Sequence, residues 1–212
     1  MTTILLIRHG KTVTNKSGHL CGRTDSPLCE EGNEQIECLA KRFAEEKIDK
    51  IYASPLIRTV ETAKAVNRAY RMDITLKYDL IEWNFGEMEG ISFKELFENW
   101  AEDMDHYINH FPEFRPKGAE ESGTELVARG VRVVEEIVRE NRGKTVAVIT
   151  HGDLLRAYLS AALGIDPAGI NNVPYSENTG VTRVDYDDDM IPHVIYQSDV
   201  SHLSKEKMTG GK

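Results

Sequence analysis

The sequence of 212 residues contains no apolar run long enough for a membrane span, so no helical crossing is expected. Cysteine is scarce: only Cys21, Cys29 and Cys38 are present. Their number is odd and their spacing is not that of a metal site. Free thiols in a reducing compartment are the expectation, and the cytoplasm is the expected location. Positive charge is also short, with 26 lysines and arginines against 35 acidic residues, a net of -9. Such a chain is not expected to hold nucleic acid or an anionic membrane by bulk charge. A small anionic substrate stays open, because a few clustered arginines can outweigh the global balance. The opening "MTTILLIRHG" lacks a basic region and a small-residue cleavage pattern, so it reads as a first strand rather than a signal peptide.

What is present is ordinary for a globular chain: 40% apolar and 29% charged residues. The length fits one domain, taken as 1–212, with a substrate-cap segment at 91–121 and a flexible tail at 204–212. "TILLIR" is a continuous apolar run, as a strand buried on both faces requires. A loop follows to about Pro27, then helical spacing through Ile36, Leu39, Ala40 and Phe43. "KIDKIYASP" reads as a strand closed by Ser54-Pro55, and Leu56 to Tyr70 as a helix. A short strand and an irregular stretch lead to "ISFKELFENWAEDMDHYINHF", expected as helix. "TELVARGVRVVEEIVREN" is a strong helical pattern, with Gly130 its weak point. "GKTVAVITHG" is a strand, and "DLLRAYLSAALG" a helix that Asp153 is placed to cap. The last third alternates as two strands around an acidic turn. The expected fold is an α/β class, a three-layer α/β/α sandwich with a central, mostly parallel sheet and an antiparallel edge.

Two strands end in His-Gly, at His9-Gly10 and His151-Gly152. In an open α/β sheet the C-terminal ends of parallel strands share one rim, so sequence distance does not keep the two histidines apart. The glycines are expected to let a bound group approach the backbone. Arg8 precedes the first histidine, Arg58 follows the second strand, and Arg23 lies in the first long loop. Guanidinium groups clamp tetrahedral oxyanions, so this set describes a phosphate pocket.

"LLIRHGKT", "GRTDSPLCEEGNEQ", "IYASPLIRTVETA", "LIEWNFGEMEG" and "VITHGDLLRAYL", in that order, resemble the histidine phosphatase superfamily, also called phosphoglycerate-mutase-like. The resemblance spans nearly the whole chain and favours its small phosphatase branch. It implies that His9 is the nucleophile and is transiently phosphorylated. It implies that Arg8, Arg58 and His151 hold the phosphoryl group, that Glu82 is the proton donor, and that Asn15 lines the pocket. Arg23 and Thr24 match the loop bordering the substrate mouth. His9, Glu82 and His151 are thus the expected catalytic set. Met88 stands where the family often has an aromatic residue, Cys29 where a threonine is usual, and "PKGAEESGTEL" is a loose form of a Gly-Glu-Ser segment.

The implied activity is a phosphomonoester hydrolase working through phosphohistidine on a small-molecule phosphate ester. Neutral His9 would attack phosphorus while positive groups at Arg8, Arg58 and His151 offset charge on the equatorial oxygens, and Glu82 would act as acid and then as base. No metal or cofactor is implied. A phosphoglycerate mutase and a non-catalytic phosphate-binding interaction protein are the alternatives. "EWNFGEMEG" in place of the mutases' usual "ERHYG", and a compact insertion, favour the phosphatase. Oligomeric state stays open, a homodimer included. "DYDDDM" lacks the spacing of a calcium loop and reads as a hairpin turn. His106 and His110 lack a third metal ligand.

Overall fold

In a computed structural model, which describes residues 1–204, six strands form one sheet in the order β3-β2-β4-β1-β5-β6. The strands are β1 (Thr2–Arg8), β2 (Lys50–Ala53), β3 (Ile74–Leu76), β4 (Thr145–Thr150), β5 (Val181–Tyr186) and β6 (Pro192–Asp199). β1, β2, β3 and β4 pair in parallel. β5 is antiparallel to β1, and β6 to β5, so β5 alone runs against the rest. The expected tail lies, but for Ser204, outside the described residues.

The continuous apolar run of β1 feeds two cores. Ile4 and Leu6 face one side, with α6 (Gly123–Glu140) and α7 (Gly152–Ala162) above them. Leu5 and Ile7 face the other, against Leu39 and Phe43 of α2 (Glu30–Phe43) and Ala63 and Val66 of α3 (Ile57–Val66). Alternating side-chain direction along a strand produces this division. The result is a three-layer sandwich. Gly130 has a packing reason: a Cβ there would come within 3.3 Å of Tyr158 Cβ, so it lets α6 lie close against α7.

Some elements differ from the sequence reading. The loop after β1 contains a helical turn, α1 (Val13–Lys16), closed by a reciprocal cap between Thr12 and Asn15. α3 stops at Val66 rather than Tyr70. The helix expected over 91–111 is two, α4 (Phe93–Asn99) and α5 (Ala101–Asn109), broken at Trp100, whose indole packs against the core. The acidic turn is a hairpin in which Asp187 accepts from the backbone of Asp189 and Ile191. No described helix is long and apolar enough to cross a membrane.

Candidate active site

The rim is set by strand register. Arg8 of β1 pairs with Thr150 of β4, so the next residues, His9 and His151, come side by side with ring centroids 5.3 Å apart. β2 ends next to β4, and the Ser54 amide extends that ladder to Ile149 at 3.1 Å. Ser54 Oγ therefore stands 2.7 Å from His151 Nε2. Arg58, in the first turn of α3, reaches inward until its Nε lies 3.3 Å from His151 Nδ1. An arginine can only donate, so Nδ1 of His151 is the acceptor and Nε2 carries its proton toward Ser54.

His9 has the opposite tautomer. Its Nδ1 lies 2.8 Å from the Gly10 carbonyl, which can only accept, so the proton sits on Nδ1 and the lone pair on Nε2. Asn178 Nδ2 donates to the His9 carbonyl at 2.9 Å and holds the backbone there. Burial holds the His9 pKa well below its ordinary value, and the Arg58 and Arg8 charges add to this. Burial and Arg58, with smaller contributions that include His9, do the same to His151. Both rings are therefore neutral. His151 was expected as a positive group; with Nδ1 accepting from Arg58 it is neutral instead, and the charges acting on His9 are those of Arg58 and Arg8.

Arg58 is 1% exposed, with Nη1 on the Thr24 carbonyl at 2.9 Å and Nη2 on the Gly22 carbonyl at 2.6 Å. Glu89 holds that turn by accepting from the amides of Arg23 and Thr24 and from the Thr24 hydroxyl. Arg8 Nη1 donates to the Ser176 carbonyl, while its buried Nε has no hydrogen-bond partner among the described residues.

Glu82 lies at the start of α7 and caps it from another part of the chain. Its Oε1 accepts from Leu154 N and Trp83 N, both at 3.0 Å, and its Oε2 from Asp153 N at 3.1 Å. Asp153 was expected to cap this helix. It sits inside the first turn instead, with Oδ1 accepting from the hydroxyls of Tyr107 and Tyr175. Burial, and then the Asp153 charge, push the Glu82 carboxyl up to about 7, against the three backbone donors.

Arg8, His9, Arg58 and Glu82 line one cleft of about 600 Å3, with Asn15 and Lys11 on the first loop. His151 is fully buried and supports the floor without lining the cleft. Arg23 and Thr24 also do not line it. Arg23 turns to the Glu82 carbonyl and to Glu120 and Glu121, and Thr24 to Glu89. They act behind Arg58, through the turn that holds it. Among the acidic residues of the loose Gly-Glu-Ser segment, Glu121 points inward, onto Arg129. The two glycines differ: Gly10 is needed by a close protein contact, whereas Gly152 lines the cleft. A Cβ on Gly10 would meet Ile36 Cγ2 at 2.9 Å, and one on Gly152 would meet Arg8 Cζ at an ordinary 3.5 Å.

Sequence reasoning missed Ser54, Asn178 and Glu89. Ser54 carried a signal, since a hydroxyl one residue past a parallel strand sits on the same rim as the histidines. Asn178 carried none, being brought to His9 by the approach to β5.

The sequence profile of the histidine phosphatase superfamily (branch 1) matches residues 4–197, and the chain belongs to that family. General phosphomonoester hydrolysis of a small-molecule phosphate is the activity this supports. The chain is 31% identical to phosphoserine phosphatase 1 of Hydrogenobacter thermophilus, over 83% of this chain and 85% of that protein. It is 32% identical to a probable phosphoglycerate mutase GpmB of Yersinia enterocolitica, over 88% and 86%. Among solved structures, YhfR of Bacillus stearothermophilus superposes with a TM-score of 0.88 at 30% identity, covering 95% of this chain and 99% of that one.

Proposed function

We propose that the protein is a phosphohistidine-forming hydrolase of small phosphate monoesters. The observation that carries this reading is the His9 tautomer: a neutral ring whose Nε2 lone pair is free beside two guanidinium groups. Nε2 attacks phosphorus as the ester P–O bond breaks. Arg8 and Arg58, which line the cleft beside His9, offset the charge spread over the equatorial oxygens. Arginine keeps its charge throughout the working pH range. Glu82 gives its proton to the leaving alkoxide. As a carboxylate it then takes a proton from water, whose oxygen attacks phosphorus as the N–P bond breaks. Inorganic phosphate leaves, and His9 and Glu82 return to their starting forms. His151 is a positioning residue that fixes the Arg58 headgroup.

The segment 91–121 acts as the substrate cap, since α4 and α5 supply one wall of the cleft. The three free thiols suit a reducing, cytoplasmic setting. Hydrolase and mutase names both occur among the relatives; "EWNFGEMEG" and the compact insertion favour hydrolysis for this chain.

The test is phosphate release from a panel of monoesters by wild type and His9→Ala, with acid-labile phosphoenzyme trapped by rapid quench. Release with a trapped intermediate is expected for wild type alone. Interconversion of phosphoglycerates without net phosphate release would replace this reading with the mutase one. Equal release by both proteins would end it.

A further inference from the structure

The cleft has two unlike ends. One is the charged floor at His9. The other is an apolar wall carried by two short helices. Phe93 and Phe97 of α4 and Ile108 of α5 line the cleft while 41%, 58% and 37% exposed, and buried Leu96 and Met104 border the same space. Large apolar side chains turned into a cleft lose contact with water only when something apolar fills it.

This wall is built into the fold. Its start is stitched to the first loop, where Phe93 N donates to the Gly18 carbonyl and Leu20 N to the Ile91 carbonyl, both at 2.9 Å. Its far end is anchored by Tyr107, whose ring lies within 6.0 Å of Trp83, Phe85 and Phe114. The cleft volume of about 600 Å3 is that of pockets enclosing a whole small organic molecule, far more than a phosphoryl group occupies.

α7 adds two charged side chains to the cleft, Asp153 and Arg156, both already engaged within the protein. Asp153 lines the cleft, with Oδ1 held by two tyrosine hydroxyls. Arg156 lines it too, but is committed: Nε to the Val173 carbonyl at 2.8 Å, Nη2 to Asn171 at 3.0 Å, and its guanidinium 4.3 Å from the Tyr175 ring centre. Lys11 and His19 stand on the opposite, first-loop side.

We propose that the site selects phosphomonoesters whose leaving alcohol carries a neutral apolar or ring-bearing body, covered by α4 and α5. This rests on the hydrolase reading above and adds its substrate class.

The experiment compares 2-phenylethyl phosphate, ethyl phosphate and phosphoserine, all primary alkyl esters, so that leaving-group chemistry is nearly matched. We expect kcat/KM for 2-phenylethyl phosphate to exceed that for ethyl phosphate about ten-fold or more, the size of effect that a few methylenes have in an apolar pocket. Phe97→Ser, at an exposed position, should collapse that ratio to within about three-fold, with the melting temperature unchanged. Equal rates on the phenylethyl and ethyl esters, or a preference for phosphoserine, would overturn the proposal. So would a preference for the phenylethyl ester that Phe97→Ser leaves intact. No phosphate from any of the three would instead sink the hydrolase reading, and this one with it.

Discussion

His9 and His151 follow adjacent parallel strands, precede a glycine and are both buried, yet the fold makes them chemical opposites. His9 gives its proton-bearing nitrogen to a carbonyl and keeps a lone pair facing the cleft. His151 has both nitrogens engaged, by Arg58 and Ser54, and faces no open space. The difference comes from the neighbouring strand. β1 has β5 on its far side, leaving His9 at the cleft, whereas β4 has β2 there, and β2 ends in Ser54 with Arg58 just beyond. A local motif therefore marks a place on the rim, and the partners decide what the residue there can do.

The contrast can be broken by substitution. His9→Ala should lower kcat by about 10^4-fold or more, as removal of a nucleophile does. His151→Ala should cost about 10^2-fold to 10^3-fold, the loss seen when one stabilising group of a preorganised site is removed. It should still yield trapped phosphoenzyme. Equal losses with no intermediate in either would erase the distinction.

Glu82→Gln should slow alkyl esters about 10^2-fold to 10^4-fold and nitrophenyl phosphate far less, because only a poor leaving group needs the proton. The pH dependence has a definite sign. A carboxyl raised to about 7 is protonated below that value, so wild-type turnover of alkyl esters should fall as pH rises through about 7. His9, held well below its ordinary pKa, should remain a nucleophile into mildly acid solution. A profile flat from pH 6 to 9 would remove Glu82 from its role.

Ser54→Ala should reduce kcat about ten-fold, with loss of the His151 Nε2–H signature in nitrogen-detected NMR; intact NMR with lowered activity would point elsewhere. The smallest effect separates the two glycines. Gly10→Ala should cost about 1–3 kcal/mol in urea unfolding, because its Cβ strikes α2. Gly152→Ala, at the start of α7 and with room around it, should change stability by less than about 1 kcal/mol.

The framework of the site was legible in the sequence for a physical reason. Strands buried on both faces leave uninterrupted apolar runs, and those runs locate the rim on which His9 and His151 meet. Glu82 was legible only through the family resemblance, since nothing local separates it from Glu87 or Glu89. Glu87 turns out to be an exposed partner of Lys117, and Glu89 the clasp of the 22–24 turn. The partners of Arg23 and Thr24 were not legible, because a loop side chain points to residues remote in sequence, here Glu89, Glu120 and Glu121. The break at Trp100 and the turn at Val13–Lys16 were hidden because neither a bulky residue leaving a helix nor a polar cap interrupts or creates apolar periodicity.

Glu82 is both the proposed proton carrier and the end-stop of α7. Each gain or loss of its proton therefore alters how firmly the first turn of that helix is held. The positive end of the helix dipole favours the anion formed after donation, easing the very step that burial opposes. Turnover would then be felt as a periodic tightening and loosening at the amides of Asp153 and Leu154, a heartbeat in the scaffold timed by the chemistry beside it.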